Sequence, residues 1–182
     1  MQTTLARIEE AALDCGFTKT GRLNVDSVKV RKEVRDACAE DKCHAYGKTW
    51  SCPPACGSLE ECEKWLGLYS AGLILQSTGN LEDPFDYEAM SQTGEDHKAR
   101  LSRFQESLAL LLPPGRKRLL LGSGCCKICG ECNYPDNPCR FPEKMIISME
   151  AMGILVSELC TANKIPYYYG QGTLTYVGCL LI

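Results

Sequence analysis

Apolar positions in the first fourteen residues recur at helical spacing, with Leu5, Ile8, Ala12 and Leu13 on one side. This predicts a helix over 3–14, stopped by Cys15-Gly16. Phe17–Leu23 reads as a short strand, and Asp26 as the cap of a helix reaching about Ala37. Periodicity then disappears: Gly47, Pro53, Pro54 and Gly57 predict irregular backbone over 38–57. Ser58-Leu-Glu-Glu61 has the capping-box pattern and opens a helix through about Leu68. Leu73–Ser77 reads as a buried strand. Tyr87–Leu112 predicts a long helix with a break at Gly94, a solvated His97 among charged neighbours, and an end at Pro113-Pro114-Gly115. Arg118–Leu121 predicts a strand, and Ser148 caps a predicted helix over Met149–Ala162. Inside that helix Gly153 marks either a start or a close-packing position. Tyr167–Tyr169 and Thr173–Leu181 flank Gly170-Gln171-Gly172, the pattern of a hairpin. Helices alternate with strands, but a hairpin requires antiparallel pairing. The expected fold class is therefore α+β: a mixed or antiparallel sheet packed with helices in one domain, 1–182, with cysteine-rich loops at 38–62 and 125–142.

Composition changes this picture at one residue type. The 182 residues include 13 cysteines, yet 45% are hydrophobic and 24% charged, ordinary globular values that exclude a disordered chain or a fibre. A chain of this length can bury a real core, so it does not need the disulfides of small secreted domains. The start lacks a basic stretch followed by an apolar run, and Leu108–Leu112 and Ile154–Val156 are far too short to span a bilayer. A cytoplasmic setting is expected, where clustered thiols are metal ligands more often than disulfides. An odd total also forbids complete internal pairing. The net charge of −3 argues against nucleic acid as a partner. No G-x-G-x-x-G or P-loop run appears.

The cysteines fall into two groups. Cys126, Cys129 and Cys132 are spaced C-x2-C-x2-C, and Cys139 follows. Thiolates at consecutive three-residue steps suit three corners of one iron–sulfur cubane, with Cys139 as the local fourth ligand; in ferredoxin-type runs the fourth cysteine can instead serve a second cluster. Structural zinc usually takes two separated pairs and is the competing reading. Cys125 is one thiol too many, either packing beside the cluster or exchanging with a ligand. Gly122, Gly124 and Gly130 permit close backbone approach. The other group, Cys38, Cys43, Cys52, Cys56 and Cys62, is more widely spaced and is read as a second [4Fe–4S] site or a zinc site. Cys62 falls near the positive end of the helix capped by Ser58, which favours a thiolate. His44 is read as a neighbour more than a ligand, Tyr46 and Trp50 as walls of this site, and Lys48 and Arg140 as cations near a cluster or ordinary surface charges. Cys15, Cys160 and Cys179 are read as packing residues. Tyr167–Tyr169 are read as part of the sheet.

Cys38-x4-Cys43-x2-Tyr-Gly-Lys-x-Trp-x-Cys-Pro-Pro, Gly57-Ser-Leu-Glu-Glu-Cys62, Leu81-Glu-Asp-Pro-Phe-Asp, the Cys126–Cys139 run with Arg-Phe-Pro-Glu-Lys, and Ser148-Met-Glu-Ala-Met-Gly together resemble an uncharacterised family of predicted metal-binding proteins, mostly of anaerobes. The resemblance spans nearly the whole chain. It implies two four-cysteine sites, Cys38/Cys43/Cys52/Cys62 and Cys126/Cys129/Cys132/Cys139, with Cys56 and Cys125 as ambiguous extras. Two fully ligated [4Fe–4S] clusters would exchange electrons with a redox partner protein. A reductase-type enzyme using such clusters on a bound substrate or cofactor is the first alternative. A Zn2+-stabilised interaction module is the second.

Overall fold

Alternation along three strands decides the architecture. In β2 (Gly72–Asn80), Leu73 and Leu75 enter one core while Ile74 enters another. In β5 (Thr173–Leu181), Leu180 joins the first core, and Val177, Cys179 and Leu181 join the second. Leu120 and Leu121 of β3 (Leu119–Gly122) divide in the same way. Successive side chains of a strand face opposite ways, so these strands must be covered on both sides. With β1 (Lys19–Leu23) and β4 (Ile147–Ser148) they form a five-stranded sheet ordered β1-β2-β5-β3-β4, antiparallel except for the parallel pair β3–β4. The computed structural model describes residues 2–182.

One face is covered by α1 (Gln2–Asp14), through Leu5, Ile8 and Ala12, and by α4 (Tyr87–Leu111), through Leu101, Phe104 and Leu108. The other is covered by α3 (Leu59–Leu66), the segment Met149–Ile154 and α5 (Val156–Ala162). Between β1 and α3 runs α2 (Lys32–Ala39), which leads into the first cysteine loop. The fold is α+β with a mixed sheet, as the sequence predicts.

Several local expectations are corrected. Tyr167–Tyr169 is not a strand, and there is no hairpin about Gly170–Gly172. The partner of β5 is β2, paired over nine positions from Gly72↔Leu181 to Asn80↔Thr173. A long buried ladder outweighs a short local one. The Tyr169 hydroxyl instead donates to Gln76 Oε1 at 2.6 Å. The helix expected over Met149–Ala162 begins only at Val156. Ser148 Oγ does cap a turn, accepting from the Ala151 amide at 3.0 Å, but Gly153 then takes φ +78° and ends it. A Cβ there would sit 3.0 Å from both Leu59 and Val30, so close packing is what this glycine provides. The helix expected from Asp26 is also divided. Asn24 caps a single 3-10 turn, Val25–Ser27, Val30 bridges to Ile154, and α2 starts at Lys32.

The expected break at Gly94 is absent, because this glycine lets α4 lie against the Tyr176 ring. His97 is not solvated. Thr93, His97, Leu101, Phe104 and Leu108 form the buried stripe of α4, at helical spacing, and the charged neighbours of His97 occupy the outer face. Its Nδ1 lies 2.9 Å from Ser77 Oγ, and its ring packs against Phe17 and Tyr176.

Candidate metal centres

Parallel neighbours in a sheet need a long crossover, usually a helix. Here the crossover from β3 to β4, residues 123–146, contains neither helix nor strand. An unstructured connection of this length within a packed domain needs another source of order. Cys126, Cys129, Cys132 and Cys139 line one pocket in it, closed by Trp50 and Phe141. Burial pushes the Cys126 thiol up, the Ile128 amide pulls it back, and Cys139, Cys129 and Cys132 add to the rise by repulsion. The Arg140 guanidinium donates to the Glu131 carbonyl, so this cation is used within the loop.

The first cysteine loop joins α2 to α3. Asp41 organises it: its carboxylate accepts from the Tyr46 amide at 2.9 Å and pairs with Lys48 at 3.1 Å, which holds the carboxyl below its ordinary range. Cys38, Cys43 and Cys52 line a pocket of about 200 Å³ together with Tyr46, Glu150 and, from the other loop, Cys125. Burial raises Cys38, and Glu150, Cys43 and Cys52 raise it further. Burial likewise raises Cys52, the Thr49 and Ser51 hydroxyls oppose the rise, and Cys125 and Cys43 add to it. Burial also lifts the Glu150 carboxyl.

Cys62 lies elsewhere. The Ser58–Glu61 capping box forms as read, and Cys62 follows in the early part of α3. It is 0% exposed, within the core cluster that also holds Leu66 and Met149. Arg35 Nη2 donates to its sulfur at 3.3 Å while Nη1 donates to the Gly57 carbonyl at 2.8 Å. Cys56 is buried too; its thiol donates to the Ala151 carbonyl at 3.5 Å, and burial pushes it up to about 11. His44 is exposed and does not line the pocket. Cys15, Cys160 and Cys179 are buried among core residues.

The two loops meet. The Cys126 amide donates to Ser51 Oγ at 3.0 Å, and Trp50 Nε1 donates to the Asn137 carbonyl at 3.0 Å. The Trp50 ring meets Tyr134 edge-on at 5.0 Å. Tyr46 walls the first pocket as expected, but Trp50 walls the second. Glu150, Ser51 and the direction taken by Cys125 follow from contacts between segments distant in sequence. Only the Cys125-Cys126 doublet signalled the last of these.

The donor set suits a thiophilic centre. Burial, with repulsion from neighbouring thiols, makes Cys38 and Cys52 at one pocket and Cys126 at the other harder to ionise, and a bound cation would remove that penalty while releasing protons. Among the described residues, no three cysteine, histidine or carboxylate side chains converge closely enough to hold a single metal ion. An α+β scaffold with two thiol-lined pockets in irregular loops is a cysteine-rich, metal-binding design. The chain belongs to the family described as "Predicted metal-binding protein (DUF2284)", whose model matches residues 21–182 and so includes both loops. No curated protein and no solved structure matches the chain. Among the described residues, no helix is long and apolar enough to cross a membrane.

Proposed function

We propose that the chain holds two [4Fe–4S] clusters, one at each cysteine loop, and exchanges single electrons with a redox partner protein in the cytoplasm. The observation that carries this reading is the helix-free crossover 123–146 with four thiols around one pocket. The run C-x2-C-x2-C supports a cubane over zinc, which favours separated pairs. When bound, such a cluster supplies reversible one-electron chemistry. The protein's part is to hold it and limit water: Trp50 and Phe141 close one pocket, and Tyr46 walls the other. Four thiolates per site leave no position open for a substrate, which favours electron exchange over catalysis at iron. Protein purified without oxygen is expected to be brown, to bleach with dithionite, and to contain iron and sulfide in equal amounts. A colourless protein with two zinc ions would overturn the reading in favour of a zinc-stabilised module.

A reductase-type enzyme is favoured by one further observation. A pocket of about 300 Å³ lies between α4 and the second loop, with Cys125 and Cys126 in its wall and Lys98, Lys127 and Lys144 around it. Lys98 and Lys127 each approach Glu95 Oε1 at 3.4 Å. On this reading a small anionic acceptor reoxidises the reduced protein, and Lys98→Ala slows that step several-fold with metal content unchanged. Equal reoxidation rates in the two proteins would exclude it.

A further inference from the structure

We propose that Cys125, not Cys62, supplies the fourth thiolate of the first site, so that the two sites meet at the Cys125–Cys126 peptide. This rests on the reading that both loops hold metal. Within each loop the chain brings three or four thiols together, but the first pocket is completed only by a residue of the second loop: Cys38, Cys43, Cys52 and Cys125 line it. Cys126, the next residue, lines the other pocket with Cys129, Cys132 and Cys139. The doublet is thus divided between two sites.

Ser51 fixes that division. Its hydroxyl, on a residue only 1% exposed, accepts the Cys126 amide at 3.0 Å and immediately precedes Cys52. The same contact therefore registers a first-site thiol against the doublet. Cys62 is occupied elsewhere. It belongs to the core cluster on its side of the sheet and takes the Arg35 guanidinium hydrogen bond. Placing it in the pocket would cost core packing and that bond. Cys125 already lines that pocket. Consecutive Cα atoms are about 3.8 Å apart, so the two centres would be neighbours joined through one peptide unit. Were both centres bound, an electron passing between them would cross only the Cys125 and Cys126 side chains and the peptide unit joining them.

The decisive experiment starts from Cys129→Ser, in which the second run is broken and half of the wild-type metal remains. Adding Cys125→Ser should remove the remaining half. Adding Cys62→Ser should leave it bound, with the far-ultraviolet circular dichroism of both double variants unchanged. Metal retained without Cys125, or lost without Cys62 from a folded chain, would overturn the assignment. An independent measurement needs no variant. In the native holoprotein Cys125 should resist maleimide and become reactive once a chelator strips the metal. Reaction of Cys125 before stripping overturns the proposal. Zinc in place of iron would defeat the electron-transfer reading alone, because the same counts, made on zinc, still decide between Cys125 and Cys62. A wild-type chain with no metal overturns both.

Discussion

Cys129→Ala should empty the proposed second site, whereas Cys160→Ala should leave the metal content of the protein unchanged. Cys129 is the middle thiol of the C-x2-C-x2-C run and lines the pocket with Cys126, Cys132 and Cys139. On the proposed reading, removing it breaks the chelate that the C-x2-C-x2-C run would supply to one centre. The loss should extend beyond the metal to the part of the crossover after Cys126, since residues 127–146 have no helix or strand to hold them otherwise. Faster proteolytic cleavage within that crossover is expected alongside the drop in iron and sulfide. Cys160 offers the contrast. It is 0% exposed on α5, packed in the core, and burial pushes its thiol up to about 11, so it stays protonated at neutral pH. Iron and sulfide per chain, measured on both variants, check the division. Equal loss in the two would show that ligand and packing cysteines have been wrongly separated.

Acid should destabilise the protein through His97, far more than through an ordinary histidine. Burial, chiefly, with Arg100 and Lys98 adding repulsion, lowers its pKa from 6.5 to about 3. The folded state therefore holds the ring neutral, with Nδ1 at 2.9 Å from Ser77 Oγ and Nε2 buried without a partner. Below pH 6.5 the unfolded chain takes up a proton that the folded chain refuses. The stability this neutral ring allows is complete above 6.5. It is then lost progressively as the pH falls toward about 3, at up to about 1.4 kcal/mol per pH unit. His97→Gln keeps a polar atom for Ser77 and removes the titration. Its unfolding free energy should fall less steeply than that of the wild type between pH 6.5 and 4. Parallel curves for the two proteins would show that His97 does not control the acid response. Metal loss at low pH is common to both proteins and cancels in the comparison.

Features set by neighbours in sequence were legible. The capping box at Ser58–Glu61 defines α3, the apolar spacing of Leu5, Ile8 and Ala12 defines α1, and the prolines after Leu112 end α4. The placing of Cys126, Cys129, Cys132 and Cys139 around one pocket belongs with these, because residues so closely spaced in one irregular loop stay near one another. Misreadings arose where a distant segment competed. Tyr167–Tyr169 has strand character, yet β5 has a nine-residue partner in β2, about a hundred positions earlier. Met149–Ala162 has helical character, yet Gly153 must leave the helix for Leu59 and Val30 to pack. His97 sits among charges in sequence, while the helical period turns it inward.

The sequence by itself determined the donor chemistry of this protein, because thiols at fixed local spacing have few other uses in a chain that needs no disulfides. It also determined the α+β class, since periodicity reports which faces must be buried. Only the tertiary structure decided which thiols face one another across loops. Cys62 belongs to the same segment as Cys38, Cys43 and Cys52, yet α3 turns it into the core under Arg35. Cys125 is far away in sequence, yet it reaches their pocket where the loop after β3 meets Ser51 through the amide of the next residue, Cys126. Spacing along a chain constrains only atoms that the same stretch of backbone connects. Contacts between separate loops depend on how the sheet beneath them is ordered, and here that order, β1-β2-β5-β3-β4, is a property of the whole fold.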